Sequence, residues 1–500
     1  MSGTTARVSA AALARYVGSV DAAEHPVYRW LAGRIRAGVL DGRLALDATL
    51  PSERELATGM DLSRTTVGAA YTLLREQGWI SSRRGSGSRL RLPDAPGRAT
   101  APPRAPFGPA GIHGWDTPLG ADPIDLTTAC LPAPADALRT ALAGATTRLP
   151  RYLAADGYQP FGLRELREAI AERYSRGGAP TTAEQILITN GAQHALSLAV
   201  NTLSVVGDRV LVECPTYPVA LDALLAGGRV PTTVGLHLPT APVGGGWDVE
   251  LVAATLRHST PRLAYLIPDF QNPTGALMDT ATREQILAAA RSAGTLVLAD
   301  ESNRDLAFAV DGAMPPSMAA LDDGSRVLTL GSMSKAFWGG LRVGWIRSSP
   351  ASIRRLARAR ALTDMAGPIL DQLIAVELLA DPEPGLTVQR ARLAAGADAL
   401  LGALARELPD WRPTRPGGGL CLWVQLPGPF AAELTRQAVG AGVQLAPGSR
   451  FGPDGTLESF VRLPITADPA RLVEAVRRLT GVAAAAASTP AAQFPAGWLT

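Results

Sequence analysis

Val327-Leu328-Thr329-Leu330-Gly331-Ser332-Met333-Ser334-Lys335 places an apolar run of strand length directly before a glycine and a lysine. Such a run, bounded by a turn residue, reads as a buried strand that delivers Lys335 to its end. Lys335 is the only lysine in 500 residues; the other 47 of the 48 Lys+Arg positions are arginine. Guanidinium therefore supplies fixed positive charge everywhere else. An arginine stays protonated and cannot condense with an aldehyde, whereas a lysine whose pKa is lowered becomes a nucleophilic amine that can. The plain alternative is a coding bias that spared one lysine on a solvated loop, and the surrounding segments decide between the two.

Working outward, the apolar runs Ile186 to Ile188, Val210 to Val212, Leu263 to Ile267 and Leu296 to Ala299 alternate with helical patterns. Strands that alternate with helices predict an α/β domain with a mainly parallel, doubly wound sheet, whose ligands bind beyond the strand ends. Several segments there match the needs of pyridoxal 5′-phosphate (PLP). A phosphate needs backbone N–H groups at a helix start, and Ile188-Thr189-Asn190-Gly191-Ala192-Gln193 offers a strand, a close-approach glycine and a helix N-terminus. A protonated pyridine nitrogen needs a carboxylate, which Asp300 offers at the end of Leu296-Val297-Leu298-Ala299. The phenolic oxygen needs a donor, available from Asn272 in Gln271-Asn272-Pro273-Thr274-Gly275. Tyr217 can stack on the ring, Lys335 can form the imine, and Ser332 and Arg342 can complete the phosphate cup. Taken singly, these read as an ordinary glycine turn, a helix cap, a second turn, a core tyrosine and a surface arginine.

Together, in this order and spacing, the segments resemble fold-type I PLP enzymes, the aspartate aminotransferase superfamily, over some 350 residues. The resemblance implies a large α/β domain with a smaller α+β C-terminal subdomain. It also implies that Arg462, in Phe460-Val461-Arg462-Leu463, binds a substrate α-carboxylate, and that Tyr158 reaches the phosphate of a neighbouring subunit. One position departs from the pattern. Three residues after the aspartate the family has a tyrosine that helps hold the phenolic oxygen, and here stands Asn303. That change puts efficient transamination in doubt but leaves PLP binding intact.

The front of the chain has a different character. Residues 26–92 carry 11 arginines against 6 acids, an excess of 5 that exceeds the whole chain's +3. Val27, Trp30, Leu31, Ile35 and Gly38 fall on one helical face. Leu50-Pro51-Ser52-Glu53-Arg54-Glu55 contains a Ser-x-x-Glu capping box that starts a second helix at Glu53. Ser63 caps a third helix, with Arg64, Thr65 and Thr66 in its first turn and Val67, Ala70, Tyr71 and Leu74 on its inner face. Trp79-Ile80 and Leu90 flank a basic, glycine-rich turn. Three helices and a basic hairpin predict a winged helix-turn-helix, with the third helix in the major groove and the wing on phosphate or in the minor groove.

Gly42-Arg43-Leu44, the Leu50–Ala57 segment, Leu62-Ser63-Arg64-Thr65-Thr66-Val67 and Arg84-Gly85-Ser86-Gly87 are similar to the GntR family of bacterial regulators. By that resemblance Arg54, Ser63, Arg64, Thr65 and Thr66 contact DNA, with Gly85, Ser86 and Gly87 at the wing tip. Gly68 stands where family members often carry arginine, so any contact from there is lost. A GntR-type head joined to an aminotransferase-like domain is the layout of the MocR subfamily. It implies a PLP-responsive, DNA-binding transcriptional regulator, a homodimer, and double-stranded DNA with two half-sites. PLP, alone or with an amino acid or related amine, would be the effector. The rival is an active aminotransferase with an appended DNA-binding domain; little or no turnover is expected.

The expected organisation is an N-terminal extension (1–22), the winged helix-turn-helix (23–92), a Pro/Ala/Gly-rich linker (93–122), the PLP domain (123–480) and a flexible tail (481–500). Hydrophobic content of 46% with 19% charged residues excludes a disordered or fibrous chain. The absence of a span-length apolar run or a leader pattern points to a cytoplasmic protein without membrane partners. Three separated cysteines and five unclustered histidines imply neither a disulfide framework nor a metal site.

Overall fold

The computed structural model describes residues 7–18, 26–83, 87–93, 122–237, 246–310, 313–322, 324, 326–452 and 456–488. The head consists of α1 (Ala10–Val17), α2 (Val27–Leu40), α3 (Glu53–Met60), α4 (Arg64–Glu76) and the antiparallel pair β1 (Ile80–Arg83) and β2 (Gly87–Leu90). The capping box at α3 is complete: Ser52 Oγ accepts from Glu55 N at 3.2 Å, and Ser52 N donates to Glu55 Oε2 at 2.8 Å. Two of the four orphan donors at that helix start are thereby satisfied. Ser63 caps α4 by accepting from Thr66 N at 3.0 Å.

On α2, Leu31, Ile35 and Gly38 are buried as their spacing predicts, while Val27 and Trp30 lie half-buried at the edge. Ala32 and Val39 complete the inner face. The first helix corrects the expected domain plan. α1 falls inside the stretch assigned to an extension, yet Leu13 is 0% and Val17 1% exposed within the head's core. The wing-tip residues Gly85 and Ser86, and residues 94–121 of the expected linker, lie outside the described residues.

The large domain is built on a seven-stranded sheet in the order β4 (Ile186–Thr189), β10 (Gly344–Arg347), β9 (Val327–Ser332), β8 (Leu296–Asp300), β7 (Leu263–Leu266), β5 (Arg209–Cys214) and β6 (Val230–Gly235). All pairs are parallel except the two made by β10. The five apolar runs singled out in the sequence are β4, β5, β7, β8 and β9. Strands covered on both faces read as continuous hydrophobic runs, and β9 is buried at every position. Helices α5 (Ala192–Leu203), α6 (Pro218–Ala226) and α7 (Val249–Ser259) follow β4, β5 and β6.

The smaller subdomain carries a sheet of β11 (Arg412–Pro413), β12 (Cys421–Gln425), β15 (Phe460–Pro464) and β14 (Ala446–Pro447), while β13 (Val443–Gln444) pairs in parallel with β3 (Ile124–Asp125). The last helix, α8, runs Pro469–Ser488 with Ala483 7% and Ala486 0% exposed. This corrects the expected tail: residues 481–488 are helical and packed. The alanine run that reads as low complexity is also the best helix-forming composition, and small side chains let the helix lie close to its neighbours. Among the described residues no helix is long and apolar enough to cross a membrane.

Ser52→Ala removes one arm of the capping box and should destabilise the head by about 1 kcal/mol. The check is the denaturant midpoint of the head's unfolding transition, read beside an unchanged large-domain transition.

Candidate functional site

The parallel strands β5, β7, β8 and β9 point their carboxyl ends at a common edge, and a cavity of about 270 Å³ opens there against the smaller subdomain. Five of the residues singled out by sequence line it together: Tyr217, Asn272, Asn303, Lys335 and Arg462. Lys335 follows β9 directly, and its Nζ donates to the Ala129 carbonyl at 3.0 Å with Cys130 Sγ at 3.4 Å. Asn272 comes from the turn after β7, and its Oδ1 is buried without a partner. Tyr217 begins α6; burial and then the charge of Asp300 push its phenol up to about 12, so it stays neutral at ordinary pH.

Asp300 ends β8 beneath the cavity. Its Oδ2 accepts from Tyr265 Oη at 2.8 Å and its Oδ1 from Ser302 N at 3.0 Å, which fixes the carboxylate's orientation. Behind it, Glu213 is fully buried and accepts from Trp247 Nε1 at 2.8 Å and Gln271 Nε2 at 3.1 Å. Burial pushes this carboxyl up to about 8, against the pull of those donors. Gln271 Nε2 also donates to the Pro215 carbonyl at 2.8 Å, so the loop carrying Tyr217 and the turn carrying Asn272 are tied together.

The expected phosphate cup lies beside the cavity. Gly191 adopts φ +85°, a backbone conformation that favours glycine, and Arg342 Nη2 stands 3.2 Å from where its Cβ would be. Arg342 donates to the Asn190 carbonyl at 2.8 Å, and Gln193 Oε1 is buried without a partner. Ala192 is the first residue of α5.

Two expectations, Ser332 and Asn303, meet a different environment, and Tyr158 faces outward. Ser332 is 6% exposed, accepts from Ser334 N at 3.1 Å and lines a small recess behind β9 with Gly331 and Trp345, not the main cavity. Tyr158 is 57% exposed and away from the cavity lining. Asn303 is buried and lines the cavity, but its Nδ2 donates to the Phe270 carbonyl at 3.0 Å, so the amide is held by backbone.

Arg462, on β15, donates to the Thr127 carbonyl, lies 5.0 Å from the Phe451 ring centre and keeps a buried, unpartnered Nε. The cavity walls also include residues that sequence reasoning missed, among them Thr127, Phe270, Arg450 and Phe451. They come from segments without a motif, and only folding brings them to Lys335. The donor set and geometry fit PLP on two structural counts: the cavity gathers the Lys335 amine with Asn272, Tyr217 and an Arg462 whose buried Nε donor has no partner, and Gly191 enters α5 at φ +85°, a conformation that favours glycine.

On the head, Arg54, Ser63, Arg64 and Thr65 are exposed and Thr66 is half-buried. The Arg64 side chain is 76% exposed, with Nε 3.8 Å from Glu53 Oε2. Ser63 Oγ and Thr66 Oγ1 lie 2.8 Å apart, so these two hydroxyls organise the helix start while Arg64 and Thr65 project outward. Gly87 adopts φ +77° at the base of the wing.

Residues 27–90 match the family described as bacterial regulatory proteins, gntR family, and residues 134–479 match aminotransferase class I and II. The chain is 35% identical to the 2-aminoadipate transaminase of Thermus thermophilus over 66% of this chain and 80% of that protein. It is 29% identical to the probable rhizopine catabolism regulatory protein MocR of Rhizobium meliloti over 86% of this chain and 87% of the relative. The solved structure of LysN, the α-aminoadipate aminotransferase of Thermus thermophilus complexed with N-(5′-phosphopyridoxyl)-L-leucine, superposes with TM-score 0.66 at 32% identity, covering 73% of this chain and 93% of that one. The match to the enzyme spans two thirds of the chain, whereas the match to the regulator spans 86% of it, more than the aminotransferase segment alone can supply. The chain belongs to the aminotransferase class I and II family and carries a gntR-family helix-turn-helix at its front.

Proposed function

We propose that the large domain acts as a sensor of PLP, or of PLP joined to an amino compound, and that its occupancy alters how the head binds DNA. The observation that carries this reading is the retention of the single lysine, Lys335, in a cavity shared with Tyr217, Asn272 and Arg462, on a chain that also bears a gntR-type head. PLP supplies an aldehyde and an electron-withdrawing ring. On this reading the Lys335 amine takes the aldehyde and Asp300 keeps the ring nitrogen protonated. Asn272 donates to the phenolic oxygen, with Asn303 beside it, and Tyr217 covers one ring face. Gly191, Ala192, Gln193 and Arg342 form the phosphate end. Arg462 then offers a charge-assisted contact to the carboxylate of an incoming amine.

The working form is a homodimer, in which the exposed Tyr158 reaches a neighbouring site and two heads address two half-sites. Arg54, Arg64 and Thr65 read base edges or phosphate, and Gly85, Ser86 and Gly87 carry the wing along the backbone. The protein acts in the cytoplasm. Asn303 supports sensing over turnover: its amide is engaged with the Phe270 carbonyl, where the family's phenol would serve the cofactor. A working aminotransferase is the second reading, favoured by the 35% identity to a transaminase.

Absorbance of the PLP-loaded protein during titration with amino acids separates the two. A lasting shift without keto-acid release supports the sensor, and conversion to the pyridoxamine form with keto-acid release supports the enzyme. Lys335→Ala should abolish the lysine-linked absorbance band and the effector response while leaving basal DNA binding in place; a normal effector response in that variant would sink the sensor mechanism. Arg64→Ala should weaken binding to a selected DNA site by about 1–3 kcal/mol, as loss of a bidentate base contact does, with the PLP band unchanged. Fluorescence anisotropy against a scrambled duplex distinguishes that loss from a general phosphate effect.

A further inference from the structure

The head rests on the back of the cavity wall. The Leu40 carbonyl at the end of α2 accepts from Leu457 N. Gly42 follows with φ +68°, and a Cβ there would stand 2.7 Å from Cys214 Sγ and 3.1 Å from Leu457 Cδ2. Across the edge strand β6, a Cβ on Gly235 would meet Arg43 Cα at 2.6 Å and the Gly42 carbonyl at 2.7 Å, so backbone approaches backbone. At the rim, Arg15 Nη2 lies 2.8 Å from Glu250 Oε2 and 3.7 Å from Asp248 Oδ2 on and before α7.

The residues under this contact also build the cavity. Cys214, Trp423, Phe451, Leu457 and Phe460 form one buried apolar cluster, with Ala446 packed against it. Trp423 stacks on Phe460 at 5.2 Å and meets Phe451 edge-on at 5.3 Å. Phe451 and Ala446 line the cavity, and Phe451 carries Arg462 over its ring at 5.0 Å. The Phe451 carbonyl accepts from Thr216 N at 2.8 Å, one residue before Tyr217. One face of the cluster therefore touches whatever fills the cavity, and the other touches the head. A close-packed cluster of this kind passes a shift on one face to the other, because it has no free volume in which to absorb it.

We propose that this cluster is the coupling surface between the two modules: filling the cavity moves Phe451 and Leu457, and the seat of Leu40, Gly42 and Arg43 moves with them. The proposal rests on the sensor reading for its purpose, but its physical content can be tested separately. The DNA-facing residues of α4 stand apart from the seat, so the coupling changes how the head is oriented, not whether its reading face is covered.

Two measurements on the full-length protein test it. Hydrogen exchange with and without PLP should change at the amides of residues 40–44. Gly235→Val, on the edge strand and away from the cavity lining, should push the head off its seat; Arg15→Glu is a milder variant that weakens the rim. Both should keep the PLP absorbance band and bind a duplex selected from random sequence by the wild-type protein. In wild type the ratio of DNA Kd without and with PLP should depart from one by roughly 5- to 150-fold, the usual span of such coupling, and in Gly235→Val it should fall towards one. Unchanged exchange at residues 40–44 on PLP addition, or a full ligand response in Gly235→Val, would overturn the proposal. If exchange there responds to PLP while wild-type DNA affinity does not, the coupling stands and the sensor reading fails.

Discussion

The burial of β9 on every side is the constraint from which the site follows. Flanked by β8 and β10, and covered by helices, the strand from Val327 to Ser332 has no polar outlet until it ends. The chain must turn there, and its first long polar side chain is Lys335. The carboxyl ends of the neighbouring parallel strands bring Asp300, the Asn272 turn and the Tyr217 loop to the same edge. Charged and polar groups thus gather where the sheet stops, because within the sheet the backbone groups are engaged in ladder hydrogen bonds. Glu213 and Gln271 then tie two of those loops together below the cavity floor.

Those parts of the fold whose residues face one uniform environment were legible in the sequence. β4, β5, β7, β8 and β9 are apolar throughout, and the Ser52–Glu55 box marks its helix without reference to anything distant. β6 was missed because Val230, Pro231, Thr232 and Thr233 stand at a sheet edge, where only part of the strand is buried. β10 was hidden inside a segment read for its arginine. α1 and the end of α8 read as an extension and a tail because short alanine-rich stretches bury little area per residue and so leave a weak pattern.

The site divides in the same way. Lys335, Asp300, Asn272, Tyr217 and Gly191 sit at strand ends and turns, where a local motif and a chemical need coincide. Phe270, Phe451, Arg450 and Thr127 carry no such mark, since each becomes a wall only when β15 and the segment after β3 close against the large domain. Ser332 illustrates the converse. Its spacing from Lys335 is right, yet Ser332 lines the recess behind β9 and its hydroxyl accepts from Ser334 N. Asn303 likewise keeps the place of a ring-contacting residue while its amide answers to the Phe270 carbonyl.

The lone lysine has a practical side as well. Apart from the chain's amino terminus, every primary amine of this protein is the one at Lys335, between the Ala129 carbonyl and Cys130. Acylating reagents and amine-directed crosslinkers, which on most proteins decorate the whole surface, have a single internal address here. Their yield is a direct gauge of whether that cavity is open.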